Sequence, residues 1–193
     1  MSSIKLEAIL MLWKRASLFT SVSKKSLKIT KKKTKRKECE QMAVMTVYHG
    51  GYQAVEKPEI RIGRNTKDFG NGFYCTVIKE QAQRWAKRYT TKVVSIYDVC
   101  LNPQLDVKEF DSMTEEWLDF IVDCRSGKEH NHDIVIGAMA DDQIYNYISD
   151  YIDGTITREQ FWMLAKFKYP THQIVFCTKE ALKCLKYRGC EVL

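Results

Sequence analysis

The pattern of apolar and polar positions changes near residue 44, and beyond that point it alternates between two periods. Short runs rich in β-branched and aromatic residues are typical of strands, and turn residues bound most of them. The runs predicted to be strands are 44–49, 70–76, 93–99, 106–110, 133–139, 173–177 and 190–193.

Apolar residues spaced three and four apart predict helices between these strands. The predicted helices are 79–89, 114–124, 141–151, 157–167 and 178–187. Thr157 and Gln160 form a capping-box pattern at the start of the fourth helix. Because strands and helices are mixed without a regular βαβ repeat, the pattern predicts an α+β fold.

The first 42 residues follow a different pattern. They contain 12 Lys or Arg and 3 Asp or Glu, a net charge of +9, whereas residues 43–193 contain 19 and 21, a net charge of −2. A block of like charge repels itself and usually stays unfolded. We therefore expect two parts: a basic, disordered extension over 1–42 and a folded domain over 43–193. The extension is a nucleic-acid or membrane-surface arm, or a tail without a defined role.

Composition excludes several classes of protein. The chain has 193 residues, of which 45% are hydrophobic and 28% charged, so it is not a disordered, collagen-like or coiled-coil protein. Its longest apolar run has six residues, 8–13, which is too short to cross a membrane. Seven cysteines without a C-x-x-C pair indicate free thiols in a reducing, cytoplasmic setting, and no metal site is expected.

Three short segments carry residues suited to binding or catalysis. His49 and Gly50 end the first predicted strand, Gly70 to Tyr74 form a glycine-rich turn into the second, and Gln173 opens a late strand. Glycine lets a ligand approach the main chain closely. Each segment alone is most often structural: a surface histidine, a hairpin turn, a strand end.

In this order the segments resemble the ADP-ribosyltransferase superfamily, in its diphtheria-toxin and poly-ADP-ribose-polymerase branch. That branch has a His-Gly pair, a Gly-x-Gly-aromatic-Tyr turn, an aromatic residue eleven positions after the Tyr, and a third motif residue opening a late strand. The matching residues are His49, Gly50, Gly70, Gly72, Phe73, Tyr74, Trp85 and Gln173. Residues 44–190 are similar in particular to a bacterial family of this clan, a domain of unknown function often encoded beside a small partner gene.

The resemblance implies a split, strongly twisted β-sandwich with peripheral helices that binds NAD. His49 would bond the adenosine-side ribose, the Gly50 main chain the nicotinamide carboxamide, and Tyr74 would stack on the nicotinamide with Trp85 on its other face. The implied reaction releases nicotinamide and transfers ADP-ribose to an acceptor, a protein or a nucleic acid. A small antitoxin-like protein encoded nearby is the implied partner.

The third motif residue departs from the family pattern. Position 173 is Gln, whereas the family usually has Glu; an amide can hold a ribose hydroxyl but supplies neither a base nor a negative charge. Transfer of single ADP-ribose groups is therefore expected, not chain elongation. Asp141 and Asp142 are alternative carboxylates, although acidic residues at this position more often serve a helix N-cap.

Two arginines precede the glycine-rich turn. Arg64, ahead of Arg61, is the candidate for binding the NAD pyrophosphate, since guanidinium groups bind phosphate bidentately. Three functions follow: a mono-ADP-ribosyltransferase, a catalytically weak NAD-binding or interaction module, and a nucleic-acid binder acting through the basic extension.

Overall fold

A computed structural model of the chain describes residues 45–62, 67–165 and 170–193. Residues 46–193 form one compact unit. The predicted basic extension lies outside the described residues.

The described residues form seven strands and five helices. In chain order these are β1 (Met45–Gly51), β2 (Phe73–Cys75), α1 (Lys79–Ala86), β3 (Val93–Val99), β4 (Val107–Glu109), α2 (Glu115–Arg125), β5 (Ile134–Gly137), α3 (Asp142–Ile152), α4 (Arg158–Leu164), β6 (Gln173–Phe176), α5 (Lys179–Leu182) and β7 (Leu185–Val192).

The strands belong to two sheets, which confirms the α+β prediction. The first sheet has the order β1-β3-β7, and the second has the order β2-β6-β5-β4. In the second sheet β6 pairs antiparallel with β2 and β5, whereas β4 and β5 are parallel. Helix α2 makes the crossover that a parallel pair requires. The rings of Phe73 and Tyr97 join the sheets, with centroids 5.7 Å apart.

Three helices cover one face of the second sheet and form the main core with it. The buried members are Phe69, Phe110, Trp117, Leu118, Ile121, Val135, Ala140, Ile144, Ile148, Phe161 and Val175. Predicted caps set the helix starts: Thr114 accepts from the Trp117 N–H, and Thr157 and Gln160 form the complete capping box. The apolar stripes of α2, α3 and α4 therefore define this core, as amphipathic spacing predicts.

One predicted helix is wrong in extent. Residues 178–187 were expected to be helical, but α5 ends at Leu182 and residues from Leu185 onward belong to β7. Strand β7 pairs along its length with β3, and its residues alternate between half-buried and exposed. Seven cross-strand pairs with β3 outweigh the short helical pattern in the sequence.

Candidate functional site

Between the described residues of the two sheets there is one antiparallel main-chain bridge. The Tyr48 N–H donates to the Thr76 carbonyl oxygen at 2.8 Å, and the Thr76 N–H donates to the Tyr48 carbonyl oxygen at 2.9 Å. In this register Gly50 faces Tyr74, yet the bridge is isolated and β1 and β2 are not neighbours in either sheet, so among the described residues the ladder does not continue to that pair. Strands β1 and β2 therefore separate directly after the bridge, and each continues in its own sheet.

The side chain of His49 takes the place of the missing rung. Its Nδ1 lies 2.7 Å from the Tyr74 carbonyl oxygen, the group that would have accepted a main-chain hydrogen bond. The imidazole also stacks on Phe73, with ring centroids 4.6 Å apart and an interplanar angle of 28°. The gap between the sheets is thus held open by a ring fixed on two sides.

The environment of His49 keeps the imidazole neutral. Burial lowers the pKa of His49, and Arg61 and Lys67 lower it further by repulsion, while the hydrogen bond to Tyr74 raises it. Since a carbonyl oxygen only accepts, Nδ1 carries the hydrogen and Nε2 is left with a free lone pair. Nε2 is therefore an acceptor for a hydroxyl group.

Gly50 lies between this gap and α1. A Cβ on Gly50 would lie 2.0 Å from the Ala82 carbonyl oxygen, so no larger residue fits. In a strand, the main-chain groups of residues two apart point to the same side. The N–H and C=O of Gly50 therefore point in the same direction as those of Tyr48, away from β3. Gly51 has ordinary space, because its Cβ would lie 3.5 Å from Nε2 of His49.

Tyr74 is fixed through its hydroxyl group. The hydroxyl donates to the Gly70 carbonyl oxygen at 2.7 Å and accepts from the Phe69 N–H at 3.2 Å. Burial, followed by the nearby Asp68 carboxylate, raises the pKa of Tyr74. The Nζ atom of Lys67 lies 5.0 Å from the ring centroid. The glycine-rich turn therefore folds around the phenol and fixes the orientation of its ring.

Gln173 lies on the same face of the second sheet as Tyr74. Tyr74 pairs with Val175, and residues two apart share a face. Nε2 of Gln173 donates to Asp68 Oδ2 at 3.1 Å and to the Ala138 carbonyl oxygen at 3.2 Å. Both amide hydrogens are thereby used, and Oε1 remains as the polar atom of this side chain that can bind a ligand.

Asp68 is a buried carboxylate that sequence reasoning missed. Its Oδ1 pairs with Arg125, and its Oδ2 accepts from the Ala140 N–H at 2.9 Å as well as from Gln173. The guanidinium of Arg125 also donates to the Tyr145 carbonyl oxygen at 3.1 Å and lies over the Tyr145 ring. With both oxygens bonded and its charge paired, Asp68 positions the Gln173 amide and is not a free base.

Asp141, one of the alternative carboxylates, serves the helix start instead. Asp141 caps α3 by accepting from the Ile144 N–H at 3.1 Å, as its N-cap explanation predicts. Asp142 is the first residue of α3. No group of three or more His, Cys, Asp or Glu side chains suited to a metal occurs in the part of the chain that the structure describes.

The remaining predicted residues are placed as follows. Gly72 is buried and bridges to Arg61, and a Cβ on it would lie 2.4 Å from a Val175 methyl group. Trp85 is 39% exposed, with the Arg88 guanidinium 4.2 Å from its ring centroid, and its position opposite Tyr74 stays a prediction. Arg64 lies outside the described residues.

The site residues therefore form two groups that meet at Tyr74. We call His49, Gly50 and Gly51 the open end, since these residues line the gap between the sheets. We call Asp68, Tyr74, Arg125 and Gln173 the closed end, since buried hydrogen bonds hold its members. Arg61 and Lys67 lie near enough to His49 to lower its pKa.

Comparison with known proteins identifies the family of the chain. Residues 45–187 match the family model described as "Protein of unknown function (DUF3990)", and the chain belongs to this family. No curated protein and no solved structure gives a significant match. Within the described ranges, no helix has the length and apolar character needed to span a membrane.

Proposed function

We propose that this member of the DUF3990 family is an NAD-dependent mono-ADP-ribosyltransferase, with its two sheets arranged as a split β-sandwich of the ADP-ribosyltransferase type. The observation that carries the proposal is the missing rung between β1 and β2. It leaves a main-chain N–H and C=O at Gly50 facing the gap, beside a neutral histidine.

The open end suits the polar groups of NAD. A carboxamide has one donor group and one acceptor, so it pairs with the Gly50 N–H and C=O as a neighbouring strand would. Nε2 of His49 accepts a hydrogen bond from a ribose hydroxyl. Arg61 and Lys67 supply positive charge close to His49, which favours a pyrophosphate. Arg61 is thus a candidate for binding the pyrophosphate, and Arg64 stays a prediction.

The closed end suits the reacting ribose. The Tyr74 ring is held rigidly and stacks on the nicotinamide, because its hydroxyl is bonded within the turn. Oε1 of Gln173 accepts from the adjacent ribose hydroxyl. Asp68 and the Ala138 carbonyl hold the amide so that its oxygen faces the substrate.

In the reaction the bond between ribose C1′ and the nicotinamide ring nitrogen breaks, and its electron pair leaves with nicotinamide. An acceptor nucleophile then bonds to C1′ and its proton passes to water. A neutral Gln173 orients the ribose without stabilising the positive charge at C1′ by a charge of its own. This favours a slow transfer of single groups.

The test follows nicotinamide release and label transfer from NAD labelled in the adenosine portion. Since His49 contributes one hydrogen bond to a ribose and holds the gap open, His49→Ala is expected to reduce nicotinamide release about 10- to 100-fold. His132→Ala is the matched control, because His132 pairs with Asp106 at the surface. Equal release by wild type and His49→Ala would contradict the proposed site.

A non-catalytic NAD-binding module is the second candidate, and the neutral amide at position 173 favours it. It predicts NAD binding by calorimetry that His49→Ala abolishes, with no nicotinamide release at any enzyme concentration. Release above the uncatalysed rate would exclude it. The antitoxin-like partner remains an expectation from the resemblance and is tested by co-purification of the neighbouring gene product.

A further inference from the structure

We infer that an exposed surface beside the open end binds single-stranded nucleic acid and presents it as the acceptor of ADP-ribose; its acceptor role rests on the proposed function. The surface, called here the α1 surface, comprises Tyr52, Arg84, Lys87, Arg88, Tyr89 and Lys92.

Two aromatic rings of the α1 surface are exposed together. Tyr52 is 46% exposed and Tyr89 is 43% exposed, and their ring centroids lie 5.6 Å apart. Within α1 the buried residues are Gln81, Ala82 and Ala86, whereas Tyr89 follows the end of the helix and stays exposed. Paired, exposed rings on a folded domain provide surfaces on which unpaired bases stack.

The charge around these rings has a single sign. Residues 81–92 contain four cations and no acidic residue, whereas the domain as a whole is slightly acidic. Arg84, Lys87, Arg88 and Lys92 are all exposed. Such a local excess of positive charge is complementary to a phosphate backbone. Rings and cations together match a single strand better than a duplex, whose bases are stacked on one another.

The α1 surface adjoins the proposed NAD site. Gly50 packs directly on α1, since its Cβ would lie 2.0 Å from the Ala82 carbonyl oxygen and 3.0 Å from the Ala86 nitrogen. Tyr52 follows Gly51 at the end of β1. A strand stacked on Tyr52 and Tyr89 therefore lies at the mouth of the gap between β1 and β2.

This placement gives the transfer step a defined acceptor class. A base nitrogen or a sugar hydroxyl of the bound strand forms the new bond to ribose C1′. The bond from C1′ to nicotinamide breaks with its electron pair on nicotinamide, and the proton of the acceptor passes to water. No co-reactant other than NAD is needed.

Fluorescence anisotropy of labelled oligo-dT and oligo-U, each about 12 nucleotides long, tests the binding step with the full chain. Tyr89→Ala removes one stacking ring without changing the charge, so we expect about tenfold weaker binding. Arg84→Glu/Lys87→Glu is expected to weaken binding and to lower the salt slope by roughly 1 to 2. Lys183→Glu/Lys186→Glu makes the same charge change near the opposite end of β3, where Lys186 pairs with Asp98 in register. This control variant retains the basic residues 1–42, so it separates their contribution to binding from that of the α1 surface. It should bind nearly as the wild type does.

An abasic strand of equal length and poly-glutamate separate the ligand classes. We expect both to bind at least tenfold more weakly than oligo-dT and oligo-U, and to be insensitive to Tyr89→Ala. If poly-glutamate binds as tightly as the oligonucleotides, or if Tyr89→Ala binds oligonucleotides normally, the surface recognises charge alone and the inference is overturned.

The transfer step is measured separately, by mass spectrometry of the oligonucleotide after incubation with NAD. A mass increase of one ADP-ribose, reduced in Tyr89→Ala but not in the lysine control, supports the acceptor role. Binding without transfer or nicotinamide release keeps the surface and overturns the proposed activity. Nicotinamide release with no oligonucleotide binding overturns the surface and keeps the activity.

Discussion

The open and closed ends of the candidate site satisfy their polar groups in opposite ways. At the closed end, Asp68 alone takes part in three interactions, with Arg125, Gln173 and the Ala140 N–H. At the open end, the main-chain rung between Gly50 and Tyr74 is missing, and the His49 side chain bonds only the Tyr74 carbonyl oxygen. A protein normally pairs its buried polar groups, so main-chain groups left without a partner at the open end are suited to binding a ligand.

The contrast assigns different physical roles to the two ends. Changes at the closed end should act mainly on the free energy of unfolding, because they expose or isolate buried polar groups. Changes at the open end should act mainly on ligand affinity, provided that packing against α1 is kept.

Loss of Arg125 is expected to have the largest effect. Arg125→Met leaves the buried Asp68 carboxylate without its charge partner, which costs about 3–5 kcal/mol in the free energy of unfolding. Urea unfolding followed by circular dichroism measures it. The double variant Asp68→Asn/Arg125→Met removes the isolated charge and should recover a large part of the loss.

Arg158→Met provides the matched control for Arg125. Arg158 pairs with Glu115 and Asp119, but its side chain is 35% exposed, so its removal should cost less than about 1 kcal/mol. An equal loss in both arginine variants would show that the closed end is no more dependent on its ion pair than the surface is.

The second largest expected effect is a loss of stability in acid, caused by protonation of His172. This residue precedes Gln173, and its Nδ1 accepts from the Val77 N–H at 3.5 Å. Burial lowers the pKa of His172 to about 4, below the ordinary value of 6.5. The neutral form is therefore the stable folded form: its contribution is full above pH 6.5 and is lost as the pH falls towards 4.

By linkage, the protonation of His172 lowers the free energy of unfolding by about 3 kcal/mol at pH 4. Urea unfolding at pH 7 and at pH 4.5 measures it, with His172→Asn expected to flatten the pH dependence. The pKa of His49 is also lowered, so His49→Gln should flatten it as well, but less. If His49→Gln flattens the pH dependence more than His172→Asn does, the histidine whose pKa is lowered most is His49, at the open end.

Most elements of the fold were predictable because their signals are local. Strand β3 has the predicted bounds, and the Thr157 capping box starts α4 as the spacing indicated. The ends of β6 and α2 differ from the prediction by one residue. These signals depend on residues within one or two turns of each other, which a sequence displays directly.

The parts that were not predictable depend on distant pairs. Asp68 and Arg125 are 57 positions apart, and Asp68 and Gln173 are 105 apart, so no local spacing joins them. The sequence marked Gln173 as a departure from Glu, but its reason appears only in three dimensions. A carboxylate there would face Asp68, whereas an amide donates to it.

Gly50 and Gly51 form the next pair in order of expected effect. Gly50→Ala drives a Cβ into the α1 main chain, and overpacking of this kind costs about 1–3 kcal/mol. Gly51→Ala meets nothing closer than 3.5 Å and should change the free energy of unfolding by less than about 0.5 kcal/mol. Its new methyl group lies beside Nε2 of His49, so NAD binding measured by calorimetry should weaken nonetheless. A Gly51→Ala protein that binds NAD normally would show that the ribose hydroxyl does not reach Nε2.

Tyr74→Phe is expected to have the smallest effect, and it separates the two functions of one side chain. The hydroxyl belongs to the closed end, where it bonds Gly70 and Phe69, so its removal should cost about 0.5–1.5 kcal/mol in the free energy of unfolding. The ring remains available for stacking, so NAD affinity should fall less than threefold, whereas Tyr74→Ala should lose both. Thermal unfolding and calorimetric NAD titration of the two variants measure these terms. A Tyr74→Phe protein of normal stability that fails to bind NAD would instead assign the hydroxyl to ligand binding. Tyr74 as a whole would then belong to the open end.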